Sequence, residues 1–127
     1  MDRHQIGKMG EEWCIKKLQE ENYKIIRTNF SCRYGEIDII AQDGQELVFI
    51  EVKTRTNESV DHAKYSITYG KQKKITKTAM FFLLSYHNSE ITEYRFDVII
   101  VKKEAEYLEI NHFKNAFYPT ETGQFFV

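Results

Sequence analysis

The chain has 127 residues and a mass of 15.2 kDa, the size of one domain with one core. With 42% hydrophobic and 29% charged residues, one proline and six glycines, it is not a disordered, collagenous or linker-rich chain, and no apolar run approaches the roughly 18 residues of a membrane span. The formal net charge of -1 argues against coating duplex nucleic acid by bulk electrostatics, while two cysteines and no apolar targeting segment make a reducing cytoplasm the expected compartment.

In chain order, the segment from about Gln5 to Glu21 has helix-forming composition and no proline. Met9 with Trp13 and Cys14 with Leu18 form i,i+4 apolar pairs, although Lys17 interrupts the arc. Glu11 lies three, four and seven positions before Cys14, Ile15 and Leu18, so it projects toward the apolar side; an early helical acid favoured by the macrodipole is the alternative. Tyr23 to Thr28 is expected as a strand, with a polar turn from Asn29 to Gly35.

Two β-rich runs, Ile37 to Ala41 and Glu46 to Arg55, flank Asp43-Gly44, a strong hairpin signal. A loop of two or four residues sets Ala41 opposite Glu46 and Asp38 opposite Phe49. Leu47, Phe49, Glu51 and Lys53 then share a face with Asp38, which becomes the diagonal neighbour of Glu51 at roughly 7 to 8 Å. A three-residue loop would send Asp38 to the other face.

A second helix is expected from about Lys64 to Tyr86, on an apolar stripe of Ile75, Thr78, Ala79, Phe82, Leu83 and Tyr86. Lys71 and Gln72 extend that inward stripe toward the helix start, whereas Lys73, Lys74 and Lys77 fall on other sides. Strands are expected at Tyr94 to Val101 and Tyr107 to His112, with residues 113–127 as a C-terminal tail of a single domain spanning residues 1–127. The order of helix, strand, hairpin, helix, strand, strand implies an α/β fold with a mixed sheet.

The charge distribution says more than its sum. Residues 53–77 carry seven basic side chains (Lys53, Arg55, Lys64, Lys71, Lys73, Lys74 and Lys77) against Glu58 and Asp61, as a local phosphate-facing strip requires; a solvated helix face is the simpler alternative. Within the apolar run Leu47 to Val52, Glu51 is an ion that burial would penalise unless it has partners. Asp38, Glu51 and Lys53 on one face form a set that a divalent metal and a phosphate would complete, because Mg²⁺ and Mn²⁺ favour carboxylate, carbonyl and water oxygens. Asp38, Glu51 and the Val52 carbonyl would be ligands with Glu11 nearby, and Lys53 would orient the attacking water and offset phosphate charge.

Five stretches also resemble a known family: Gly10-Glu11; Gly35-Glu36-Ile37-Asp38-Ile39-Ile40-Ala41; Leu47 through Arg55; Lys71-Gln72 with Ala79; and Arg95-Phe96-Asp97-Val98. In order and spacing they look like the motifs of the bacterial YraN-like family, itself similar to Holliday junction resolvases within the PD-(D/E)XK nucleases. The resemblance implies a restriction-endonuclease-like αβββαβ core, a mixed central sheet flanked by helices. It matches Asp38 and Glu51 to metal-binding acids, Lys53 to the motif lysine, Glu11 to the acid of the first helix, and Lys71 or Gln72 to the polar position of the second. It departs at Cys14, where alanine is usual, and around Ser59-Val60, which lacks a glycine. The expected function is a Mg²⁺- or Mn²⁺-dependent endonuclease acting on structured nucleic acid, with DNA as the expected polymer. Lys71 or Gln72 would contact the scissile phosphate, while Arg55, Lys73, Lys74 and Lys77 track the flanking backbone. No membrane partner is expected, and a homodimer is the candidate assembly. The alternative is a non-catalytic nucleic-acid-binding or adaptor protein on the same scaffold.

Other residues invite blander readings. His4, His62, His87 and His112 show no metal-ligand spacing with one another or with Cys14 and Cys32, and read as surface histidines. Phe96, Phe113, Phe117, Tyr118, Phe125 and Phe126 suit packing or self-association better than base stacking. Arg95 and Asp97 share a strand face, as an ion pair of either structural or functional purpose.

Overall fold

The structure, a computed structural model, describes residues 2–56 and 59–120. Helix α1 (Arg3–Glu20) starts where Asp2 accepts the Gln5 amide at 2.8 Å and Gln5 Oε1 accepts the Asp2 amide at 2.9 Å, a reciprocal cap. The chain leaves it through Asn22, whose φ of 70° suits asparagine at a helix exit, and the Tyr23 amide closes on the Leu18 carbonyl at 2.9 Å. Strands β1 (Lys24–Cys32), β2 (Gly35–Asp43) and β3 (Glu46–Arg55) form an antiparallel meander. Helices α2 (Val60–Tyr65) and α3 (Tyr69–Leu83) then cross to β4 (Glu93–Lys103), parallel to β3, and β5 (Leu108–Phe117) returns antiparallel.

The five strands lie in the order β1-β2-β3-β4-β5. Because strand side chains alternate, each face has its own core. Cys14 and Leu18 of α1 pack on Ile39, Ala41, Val48, Ile50, Ile99 and Val101. On the opposite face Ile75, Ala79 and Phe82 of α3 pack on Ile40, Leu47, Phe49 and Phe96, and Ala63 of α2 packs with Val98 and Ile100. Burial of each large apolar side chain contributes about 1.5–3 kcal/mol. This is the expected mixed α/β sheet flanked by helices, consistent with a restriction-endonuclease-like core. No helix among the described residues is long and apolar enough to cross a membrane.

Several boundaries differ from expectation. The Asn29 to Gly35 stretch is mostly strand: β1 continues to Cys32 and turns at Arg33 and Tyr34, because asparagine tolerates the φ of 51° that Asn29 adopts. The expected long helix is two helices. Thr68 breaks it by capping α3, its hydroxyl accepting the Lys71 amide at 3.2 Å, and α3 stops at Leu83. Strand β5 runs five residues beyond His112 into the stretch expected as tail, held by pairs such as Phe96 with Phe117. Phe125 and Phe126 lie outside the described residues.

Candidate metal and nucleic-acid site

The β2–β3 ladder pairs Ile39 with Ile50, Ile40 with Phe49 and Ala41 with Val48. The register is two residues from the expected one, since Gly44 takes the first central turn position with φ 63° and Gln45 completes the loop. Parity survives this shift. Phe49 pairs with Ile40 and not with Asp38, and the last paired residues toward Asp38 and Glu51 are Ile39 and Ile50.

The ladder stops at that point. β2 stays with β1 to Gly35 and β3 stays with β4 to Arg55, so the two strands fork beyond Ile39 and Ile50. At the fork the Val52 amide has no strand partner on β2; it donates instead to Asp38 Oδ2 at 2.7 Å. A side-chain carboxylate has replaced a backbone carbonyl, which satisfies the buried N–H and holds the Asp38 rotamer.

Glu51 and Lys53 form an ion pair at 3.7 Å, with side chains only 21% and 13% exposed. Burial first, and then the Asp38 charge, push the Glu51 carboxyl up to about 7, against the pull of Lys53 and Lys71. Burial also raises Asp38 above the usual carboxylate range, with the Val52 amide and Lys53 opposing. Lys53 is lowered by burial and by the charges of Lys71 and Arg55, while Glu51 supports its charged form. The fork therefore crowds like charges of both signs.

Glu11 enters from the α1 face. Gly10 allows this approach, because a Cβ there would overlap the Thr54 hydroxyl, so α1 lies almost against β3. Burial and then Asp38 push Glu11 up to about 7, and the Asn29 side chain favours its charged form. Glu11 thus belongs to the same electrostatic cluster. Among the described residues, however, no three His, Cys, Asp or Glu side chains gather as a protein-only cage for a metal ion.

The helix residues separate. Lys71 acts electrostatically on both Glu51 and Lys53 and so joins the cluster. Gln72 does not: its amide nitrogen donates to the Ile67 carbonyl at 3.1 Å and secures the link between α2 and α3. Lys73 and Lys74 are exposed on α3 and Lys77 is partly covered. Arg55 donates from Nη1 to the Thr54 carbonyl at 2.9 Å and adds its charge beside Lys53.

The expected Arg95–Asp97 ion pair forms, and around it lies a wider network that sequence reasoning missed. Arg95 is buried and donates from Nε to Asp97 at 3.0 and 3.2 Å, from Nη1 to Asp43 and Glu46 at 3.1 Å each, and from Nη2 to the Tyr23 hydroxyl at 2.9 Å. His112, expected on the surface, lies 2.7 Å from Asp97, and the Asn115 amide donates to Asp97 at 3.0 Å. Burial would raise Asp97, but His112, Arg95 and Asn115 hold it below the usual carboxylate range. Every oxygen of Asp97 is engaged, so this network fastens β4 to the β2–β3 hairpin and β5. Phe96 is stacked on Phe49 and Phe117 at 5.5 and 5.1 Å, and serves the core.

A sequence profile described as "Uncharacterised protein family UPF0102" matches residues 10–101. Among similar proteins, a UPF0102 protein of Lachnoclostridium phytofermentans is 42% identical over 117 residues, covering 92% of this chain and 96% of its own. Another from Geobacter metallireducens is 39% identical over 112 residues, covering 88% and 91%, and one from Acinetobacter baumannii is 43% identical over 95 residues, covering 75% and 71%. The chain belongs to UPF0102, the YraN-like family that its motifs resemble.

Proposed function

We propose that the protein is a Mg²⁺- or Mn²⁺-dependent endonuclease that hydrolyses phosphodiesters in structured nucleic acid, with DNA as the polymer. The observation that carries this reading is the fork: Asp38 accepts the Val52 amide right beside Glu51, its charge raises the Glu51 carboxyl, and both acids are half-buried and held above the usual carboxylate range, with Lys53 at 3.7 Å from Glu51. A cation relieves what otherwise makes the site costly, the mutual repulsion of two carboxylates removed from water. The residues fit Mg²⁺ or Mn²⁺ because such ions take one or two carboxylates and complete their shell with water and substrate phosphate, so a three-acid cage is not required. When bound, the ion would supply Lewis acidity to the phosphate and a nucleophile at neutral pH.

The remaining work falls to the chain. Asp38 and Glu51 would hold the ion with the Val52 carbonyl, and Glu11 borders them. The Lys53 ammonium would orient the attacking water and offset charge growing on the phosphate oxygens. Lys71 would contact the scissile phosphate, while Arg55, Lys73, Lys74 and Lys77 would hold the flanking backbone. The resemblance of the YraN-like family to Holliday junction resolvases supports a branched substrate.

A second reading is a nucleic-acid-binding or adaptor protein that keeps the scaffold without cutting, and the formal net charge of -1 favours it, since a partner protein needs no strongly basic chain. A panel of four-way junction, flap, single-stranded and duplex DNA and RNA, with Mg²⁺, Mn²⁺ or chelator, decides between them. Cleavage by wild type but not by Glu51→Ala supports the nuclease. Binding without cleavage under every condition supports the adaptor.

A further inference from the structure

Between the first turns of α1 and β1 lies a cavity of about 410 Å³, lined by Arg3, His4, Gly7, Lys8, Glu11 and Asn29. Its volume falls in the range of about 300–1,000 Å³ typical of small-ligand sites. The five α1 residues recur at helical spacing, so they form one face that runs from Arg3 to Glu11, about 12 Å at 1.5 Å per residue.

Two features of the lining bear on its occupant, one of charge and one of shape. Arg3 and Lys8 have no ion-pair partner among the described residues, and Glu11 at the far end is the one acid of the lining, so positive charge prevails toward the Arg3 end. Gly7 sits inside the helix, where glycine lowers helix stability, yet a Cβ there would meet nothing within 4 Å. Neither packing nor a positive φ calls for glycine at this position. Its effect is to leave the cavity floor bare. The helix-end amides are not the attraction, since Asp2 already caps them. Glu11 closes the far end and also borders the fork, so cavity and fork share a wall.

We propose that this cavity seats one nucleotide unit, with the phosphate held by Arg3 and Lys8, the sugar against the bare backbone of Gly7, and His4 and Asn29 offering hydrogen bonds to sugar or base. A lone phosphate covers only a fraction of the distance from Arg3 to Glu11, whereas a nucleoside phosphate fills it. The inference deepens the nuclease reading and rests on it for the role of the unit, the nucleotide adjoining the scissile bond. A strand and a free nucleotide share the recognised chemistry.

The test is amide chemical-shift titration of the full chain in chelator, with thymidine 5′-monophosphate, thymidine, inorganic phosphate and a thymidylate hexamer as probes. The monophosphate should move Gly7, Lys8 and Asn29, with thymidine and phosphate binding at least about tenfold more weakly. A hexamer that binds more tightly and competes identifies a strand; a monophosphate that outbinds the hexamer identifies a free nucleotide and overturns the strand assignment. Gly7→Leu should weaken the monophosphate at least about tenfold without lowering the thermal midpoint, and Arg3→Gln with Lys8→Gln should weaken it and flatten its salt dependence. If Gly7→Leu does not fold, the paired charge variant carries the test. Shifts confined to other residues, or unchanged affinity in these variants, would overturn the proposal. Chelator removes metal-dependent chemistry, so the two readings fail separately. Binding here by a protein that cuts nothing keeps the cavity and removes the nuclease. Cleavage by Gly7→Leu at unchanged KM keeps the nuclease and removes the cavity.

Discussion

Replacing Glu51 with glutamine should stabilise the metal-free protein at alkaline pH. Its carboxyl is pushed from the ordinary 4.5 to about 7 by burial and by Asp38, a net result that already includes the attraction of Lys53 and Lys71. Between those two values the native state binds more protons than the unfolded state, so stability falls as pH rises through this window and levels off above it. At about 1.4 kcal/mol per pH unit the full span is worth about 3 kcal/mol, and sharing the repulsion with Asp38 leaves about 2 kcal/mol for Glu51 alone. For a domain of this length that corresponds to a rise of about 7 °C in Tm. Thermal melts followed by circular dichroism, in chelator at pH 4.5 and pH 8, measure it. Wild type and Glu51→Gln should nearly coincide at pH 4.5, the variant should melt higher at pH 8, and Mn²⁺ should raise the midpoint of wild type alone. A variant that melts lower than wild type at pH 8 would refute the reasoning, since Glu51 would then be a stabilising partner of Lys53.

Gly10→Ala should cost about 1–3 kcal/mol by forcing α1 away from Thr54, and Thr54→Ala in the same chain should recover most of it in urea denaturation. Asp97→Ala should cost about 3–5 kcal/mol, because it leaves the Arg95 guanidinium buried with fewer partners; a loss under 1 kcal/mol in the same assay would contradict the anchoring role. Neutralising Lys73, Lys74 and Lys77 together should weaken nucleic-acid binding across sequences and flatten its salt dependence by about 0.7 to 0.9 for each phosphate no longer neutralised, with little change in saturated turnover. Equal affinity at every salt concentration would leave these lysines a solvated helix face.

The Asp43-Gly44 hairpin made the approach of Asp38 to Glu51 legible, and the Asp38 charge does act on Glu51, although the paired ladder ends at Ile39 and Ile50, short of both acids. The fork was not legible. That the Val52 amide turns to a side chain depends on where two strands part, which is a tertiary outcome of α1 packing at Gly10 and of β2 remaining with β1. Helical spacing set Lys71 and Gln72 on one inward stripe, yet Lys71 is exposed: the break at Thr68 gives Gln72 a nearby carbonyl and leaves Lys71 at the surface, where its charge still acts on Glu51. His112 looked like a surface residue because β5 was expected to end there; its five further residues bring His112 and Asn115 onto Asp97. Arg3, Lys8 and Asn29 carried no motif, and their common cavity follows from α1 lying over β1.

Single-turnover cleavage of a four-way junction in Mn²⁺, compared between wild type and Lys53→Ala alongside Mn²⁺ affinity by titration calorimetry, tests the central claim most directly. The chemical rate of Lys53→Ala should fall at least about a hundredfold, the scale of a lost general acid–base or electrostatic group, with Mn²⁺ affinity within about threefold of wild type. Equal cleavage rates would remove Lys53 from the chemistry, and a wild type that binds Mn²⁺ and the junction but leaves it intact would contradict the nuclease itself.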